Sequence, residues 1–394
     1  MNRIKSLLNR DILFLLASSF LFFGTYNLLL PTFPLYVKKL GGNETLVGLL
    51  GGLFALTAVF LRPYLSKMTD RRGRKVVLLI AGFTGMTGPL LYLFNFGFWF
   101  LALARIYHAI SLAAYITASQ TLLADLSQPE NRGIIIGIYG IAGGTAMAIA
   151  PALGLKIAAE LGYGPLFIIS ALVSLGVIPC IMLLREPQIS NTDEQIKTVP
   201  LSKIIRNKWV LVPSIALFSV TMAQGATNAF LPLYGLSIGM LNFGIFFTVF
   251  SVTSMIGRVT AGILSDRLGR KTLALPALIM VGVGVLCLIR MPSLMMLVLA
   301  AILIGFGFST THTVLLALII DQTTLRERSQ AISFYANAFD LGVAAGAMGL
   351  GAIAGYSYSL LWLVVAMVAL IGFILTAKML PVEGKLNIAT NKKI

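Results

Sequence analysis

The chain has 394 residues, 58% of them hydrophobic and only 11% charged, with 30 Lys and Arg against 14 Asp and Glu and a formal net charge of +16. Ordinary soluble domains carry about 25% charged residues, so this composition excludes water as the main solvent. The positive charge would suggest nucleic acid in a soluble protein, but no basic patch is interleaved with exposed aromatics, and no nucleic-acid partner is expected.

Apolar runs of about 20 residues, the length needed to cross a hydrocarbon core, recur along the whole chain. The first half gives Ile12 to Val37, Leu46 to Leu65, Val76 to Phe96, Phe98 to Leu123, Ile134 to Ala159 and Gly164 to Leu184. The second gives Trp209 to Leu236, Leu241 to Leu264, Thr272 to Ile289, Ser293 to Ile320, Ser329 to Gly355 and Leu360 to Leu380. Continuous runs of this kind are helices; membrane barrels show short alternating segments instead. Arg3, Lys5 and Arg10 precede the first run, which reaches Pro31 and Pro34 without a cleavage site and exceeds the roughly 7–15 apolar residues of a secretory signal. It is expected to be retained as the first membrane helix. Cys180 and Cys287 lie in separate apolar runs, too few for a metal cluster or disulfide frame, and are expected to be packing residues.

The longest polar interruption, REPQISNTDEQIKTVPLSKIIRNK from Arg185 to Lys208, divides the chain into residues 1–186, a linker 187–208 and residues 209–394. The linker mixes acids and bases and is expected to be solvated; the alternative is a short amphipathic helix on the membrane surface. Of the Lys and Arg, only Lys38, Lys39, Lys156 and Arg290 fall on one side, Arg62, Arg105 and Arg258 lie within helices, and the rest share the side of both termini. The excess of cations on cytoplasmic loops then puts both termini in the cytoplasm of a cell that carries the chain in its cytoplasmic membrane.

The two halves repeat. Asp70 sits in SKMTDRRGRK and Asp266 in GILSDRLGRK, 196 residues apart, and the same offset relates Arg62 to Arg258, Asp125 to Asp321, Arg132 to Arg328 and Tyr139 to Tyr335. A period this long means duplicated domains, an arrangement typical of secondary transporters. GILSDRLGRK matches the loop signature GxLxDRxGRK of the major facilitator superfamily, and the first copy departs only at Ser66 and Met68. Over essentially its whole length the chain resembles that family, most closely its proton-coupled drug and metabolite efflux branch. The resemblance implies an all-α membrane protein, with twelve transmembrane helices in two pseudo-symmetric six-helix bundles that alternate access to a central cavity. Similar proteins usually work as monomers, and a monomer is expected.

Asp70 and Arg74 lie four residues apart, so on one helical turn they can pair. The resemblance makes Asp70, Arg74, Asp125 and Arg132, with Asp266, Arg270, Asp321 and Arg328, candidate latch residues; the bland reading is that they orient the chain and satisfy loops. An ionisable residue at a helix centre costs about 2.5–3.5 kcal/mol even on lenient scales, so Arg105 in LALARIYHAI stands out. Similar proteins carry there an Arg associated with proton coupling, although Ala109 replaces the motif's usual Gly. His108 is either part of the same relay or a packed neutral ring. Asp340, near the middle of the eleventh run, is the first candidate for a proton-binding carboxylate; the alternative is a structural partner for Arg105 or another cation. His312 is a further relay candidate. Tyr26, Asn27, Gln224 and Asn228, with Asn337 one turn before Asp340, are candidates to line the substrate cavity.

Proton-coupled exporters of the superfamily carry a Gly-rich motif on the fifth helix. The matching stretch here, GIYGIAGGTAMAIAPALG from Gly137 to Gly154, keeps Pro151 and Gly154 but has Ala146, Ala150 and Leu155 where Gly is usual. The resulting expectation is proton-coupled export of a small organic molecule. The alternatives are a symporter importing a metabolite or organic anion, the anion attracted by Arg105, and a lipid flippase on the same fold. No Walker loop, HExxH or nucleophile with a His partner is present, so neither an enzyme nor a cofactor is expected.

Overall fold

Lipid offers no water to backbone N–H and C=O groups, so a chain of this composition satisfies them inside helices. A computed structural model describes residues 9–127, 131–186, 201–289 and 293–380, and among these no strand occurs. Twelve helices among the described residues are long and apolar enough to cross a membrane. They are α1 (Arg10–Lys39), α2 (Glu44–Arg72), α3 (Arg74–Leu91), α4 (Phe98–Leu126), α5 (Arg132–Glu160) and α6 (Tyr163–Met182), then α7 (Lys208–Ser237), α8 (Ile245–Leu268), α9 (Arg270–Ile289), α10 (Leu294–Gln322), α11 (Leu325–Met348, continued by Gly351–Tyr356) and α12 (Tyr358–Met379). At the linker's end a short helix covers Leu201–Arg206; residues 187–200 lie outside the described residues.

The helix ends follow local chemistry rather than the limits of the apolar runs. Asn9 and Asn43 cap α1 and α2, their side-chain oxygens accepting from Ile12 N at 2.8 Å and Leu46 N at 2.9 Å. α1 breaks after Leu29 because Pro31 and Pro34 remove two donors; Thr32 Oγ1 takes the Leu28 carbonyl at 2.9 Å. α2 outruns its apolar run, ending only at Gly73, whose φ of 96° is open to glycine. α3 falls short of its run, stopping at Leu91, with Tyr92 turning back onto the Pro89 carbonyl.

By contacts the chain forms two compact units, and the division runs through α7, α8 and α11. The first unit holds α1–α6 together with Gln224–Val252 and Val343–Tyr358; the second holds the residues up to Ala223 from the linker, Thr253–Gly342 and the chain from Ser359. In the first, α1 packs on α5 and α6, and α4 on α2 and α3, around buried Leu15, Phe22, Val77, Leu78, Ala113, Tyr115 and Leu122. In the second, α9 packs on α10, and Leu278, Val281, Ile304, Trp362 and Val365 are buried.

The duplicated signature builds the same brace once in each unit. Arg74 Nε donates to Asp125 Oδ2 at 2.8 Å, and Arg270 Nε to Asp321 Oδ2 at 3.1 Å. The next residue caps the last helix of its set: Lys75 Nζ reaches the Met182 and Leu184 carbonyls at 2.7 and 2.9 Å, while Lys271 Nζ takes those of Ala377 and Leu380. Gly269, with φ of 91°, turns the chain as Gly73 does. The expected pairing of Asp70 with Arg74 is therefore corrected: Arg74 is engaged by Asp125, 51 residues on, and Asp70 is exposed. At the start of α3 the backbone N–H of Arg74 donates to Glu186 at 2.5 Å, an anion at the positive end of the helix.

Candidate transport site

Ionisable groups at membrane depth lie in both units, and each set is built differently. In the first unit α4 presents Arg105, half-buried, with its guanidinium between two rings. The carbon Cζ lies 4.1 Å from the centroid of Phe33, on the second piece of α1, and 4.3 Å from that of Phe54 on α2. A cation over an aromatic face gains about 0.5–2 kcal/mol as water is excluded. Nε donates to the Leu50 carbonyl at 3.2 Å, and Nη1 makes a long contact of 3.5 Å with the Tyr92 hydroxyl. None of the partners of Arg105 among the described residues is a carboxylate.

His108, buried one turn along α4, lies with Nδ1 2.9 Å from the same Tyr92 hydroxyl and its ring edge-on to Phe54. The Tyr92 hydroxyl thus stands between the Arg105 guanidinium and Nδ1 of His108. Tyr92 is itself held by Tyr36, whose hydroxyl donates to the Tyr92 carbonyl at 2.7 Å. Tyr26 joins through Phe54, with ring centroids 5.7 Å apart. Asn27 is buried at 2% exposure, and its Nδ2 donates to the Phe23 carbonyl one turn back at 2.8 Å, so its amide closes on its own helix. On α7, Gln224 and Asn228 share a face at i,i+4; both are half-buried, and the Gln224 Oε1 is buried without a hydrogen-bond partner.

In the second unit His312 of α10 packs between Phe308, Tyr335 and Phe339, at centroid distances of 6.4, 5.7 and 5.9 Å. The Tyr335 hydroxyl donates to the His312 carbonyl at 3.0 Å. Asp340 follows Phe339 on α11 and is half-buried, as is Asn337 one turn earlier. Arg328 Nη2 donates to the Ile320 carbonyl at 3.2 Å, which ties the start of α11 to the end of α10. The side chains of Arg132 and Asp266 lie outside the described residues.

The fifth-helix motif has a local use. Pro151 has no N–H, which frees the Met147 carbonyl; Ser251 Oγ of α8 donates to it at 3.1 Å, and Thr248 Oγ1 to the neighbouring Ala148 carbonyl at 2.8 Å. A Cβ on Gly154 would stand 2.2 Å from the Leu28 carbonyl, so α1 and α5 cross too closely there for any larger residue.

Sequence reading singled out Arg105, His108 and Tyr26, which the structure joins, but missed Phe33, Phe54 and Tyr92, which join them. These aromatics come from two other helices and the turn that ends a third, and no spacing along the chain links them to Arg105.

Twelve membrane-length helices among the described residues, with a brace repeated in each unit and ionisable side chains inside apolar helices, define a polytopic membrane protein. The model of the Major Facilitator Superfamily matches residues 15–246 and 236–393, and the chain belongs to that family. It is 27% identical over 329 residues to the synaptic vesicular amine transporter of Homo sapiens, covering 80% of this chain and 63% of that protein. The quinolone resistance protein NorA of Staphylococcus aureus (strain MRSA252) is 26% identical over 231 residues, 58% of each protein. The match thus spans less than two thirds of either relative's own length. Among solved structures, a mutant of the nucleoside transporter NupG superposes with a TM-score of 0.82 at 14% identity, over 95% of this chain and 100% of that one. A bacterial homologue of the lysosomal transporter Spinster, inward-facing and unoccupied, gives 0.75 at 15% identity, over 93% and 96%. At these identities the likeness is one of fold.

Proposed function

We propose that the protein is a proton-coupled exporter of a small organic molecule, working as a monomer in the cytoplasmic membrane with both termini in the cytoplasm. Residues 1–186 and 209–394 act as the two moving bundles and 187–208 as their tether, with the braces at the signature loops taking part in the latch. The observation that carries the proton coupling is Asp340, an acid half-buried in the middle of a membrane helix and next in sequence to the ring that packs on His312. A charge at that depth is costly, so an acid kept there points to a use that needs it. The likeness to a quinolone resistance protein and a vesicular amine transporter supports export of organic compounds.

The test is proton release from purified protein in liposomes when candidate amines and quinolones are added, comparing wild type with Asp340→Asn. Release from wild type that the variant loses, with its thermal stability unchanged, is expected. Equal release from both proteins would remove Asp340 from the coupling path.

A second reading is favoured by Arg105, whose partners among the described residues include no carboxylate: a symporter in which an organic anion supplies the countercharge. It predicts uptake that is lost in Arg105→Gln and indifferent to Asp340→Asn.

A further inference from the structure

At the end of α2 opposite its own signature loop, one carboxylate joins residues 314 positions apart. Glu44, in the first turn of α2 and 16% exposed, accepts from Lys38 Nζ at 2.7 Å and from the hydroxyl of Tyr358, the first residue of α12, at 3.2 Å through the same Oε1. The Tyr358 ring rests on Tyr234 of α7, with centroids 5.2 Å apart. Behind this contact α2 and α11 cross almost backbone to backbone. A Cβ on Gly48 would stand 2.3 Å from the Ala347 carbonyl, one on Gly52 2.5 Å from Met348 Cβ, and one on Gly351 2.8 Å from Thr45 Cα. All of these residues belong to the first unit, to which Val343–Tyr358 contributes although it comes from the second half of the chain.

Such a seam is smooth. Glycines and alanines let the helices approach but interlock little, so the seam holds by close packing and can part without unthreading side chains. The directional contact at its mouth is the charge-assisted pair of hydrogen bonds on Glu44. That contact also escapes the internal duplication, since Met240 and Gly162 stand 196 residues from Glu44 and Tyr358. The other half has no copy of it at those positions.

We propose that Glu44, through Lys38 and Tyr358, is the clasp that holds the α2–α11 seam shut, and that a substrate exchanging with this face requires the Tyr358 bond to break. Glu44 is a positioning residue here; it sets how often this face opens and touches no substrate. The inference needs only that the carrier opens at this end, and it stands whether or not transport is proton-coupled or outward.

The experiment reads the seam directly. In protein carrying Cys180→Ser and Cys287→Ser, a single reporter thiol is placed by Ala347→Cys, at a seam position 4% exposed, or by Ala81→Cys, at a core position of α3 that is 0% exposed. Labelling by a membrane-impermeant maleimide is timed in nanodiscs, with and without Glu44→Gln and Tyr358→Phe. The loss of a hydrogen bond to a charged group is expected to raise labelling at the seam by about tenfold in either variant, to raise it no further in the double variant, and to leave the α3 reporter unchanged. Glu44→Asp, which keeps the charge, should restore part of the protection. Unchanged labelling at the seam overturns the clasp, and so does an equal rise at both reporters, which would mean that Glu44 merely stabilises the fold.

Discussion

The signature loops and the membrane-depth clusters differ in one respect that sorts scaffold from site. At the loops the brace occurs twice: Arg74 with Asp125 and Arg270 with Asp321, Lys75 and Lys271 on the last carbonyls of α6 and α12, Gly73 and Gly269 at the turn. Tyr139 and Tyr335 likewise both reach across to the preceding helix, the first to Ser119 Oγ and the second to the His312 carbonyl. At membrane depth repetition is the exception, met at Arg62 with Arg258 and at Tyr139 with Tyr335. The positions 196 residues from Arg105, His108, His312 and Asp340 are Ala301, Ile304, Ile116 and Gly144. Geometry that both halves need has been kept in both, whereas Arg105, His108, His312 and Asp340, costly to place in lipid, each stand in one half only.

The largest effect that would break this division lies at Arg105. Its ring contacts are worth about 0.5–2 kcal/mol, against about 2.5–3.5 kcal/mol for placing the cation at membrane depth, so Arg105→Gln should leave thermal stability close to wild type. Transport of any substrate found by the proton-release screen should fall about a hundredfold per folded molecule, the scale set by losing one preorganised charge. The check is an initial rate in proteoliposomes beside a melting curve of the same preparation. A large loss of stability with the rate per folded molecule intact would move Arg105 into the scaffold.

The braces should behave in the opposite way and alike. Both ion pairs are partly exposed, Asp125 at 34% and Asp321 at 41%, so solvent screening limits each to about 0–1 kcal/mol. Arg74→Ala and Arg270→Ala should therefore lower the melting temperature by small and similar amounts, and the double variant by their sum, because the two pairs sit in different units. A loss confined to one of them would show that the duplicated loops have diverged in use.

Much of the scaffold was legible in sequence because its signals are local or periodic. Apolar runs located all twelve helices, and the repeated string located the turns at Gly73 and Gly269. The pairing of Arg74 was misread because spacing along one helix favoured Asp70; the fold supplies Asp125 instead, from the end of α4, and the exposed Asp70 is left to water. The site was legible only in part. An Arg or Asp inside an apolar run announces itself by its cost, so Arg105 and Asp340 stood out, but the rings that sandwich Arg105 are ordinary apolar residues wherever they occur. Asn27 shows the converse: an amide in a membrane helix need not face a cavity, because a carbonyl one turn back can satisfy it.

Lys203 and Glu327 offer the mildest probe, a contact that is neither duplicated nor at membrane depth. Lys203, on the short helix that ends the linker, lies 2.8 Å from Glu327 Oε1, and Thr324 Oγ1 donates to the other carboxylate oxygen at 3.1 Å. These two hydrogen bonds hold the Glu327 carboxyl below its ordinary value of 4.5. A carboxylate depressed in the folded state stabilises the fold at pH above its unfolded value, and that contribution is lost as the pH falls through the folded value. The docking of the linker's end should therefore be indifferent to pH near neutrality and weaken only in acid, below about pH 4.5. Lys203→Ala should bring the titration of Glu327 back toward its ordinary midpoint, read from the carboxyl carbon by NMR. Because Lys203 is 68% exposed, the accompanying change in melting temperature should be the smallest of these effects. A midpoint unmoved by Lys203→Ala would assign the depression to Thr324 alone and leave the linker's end untied from α11.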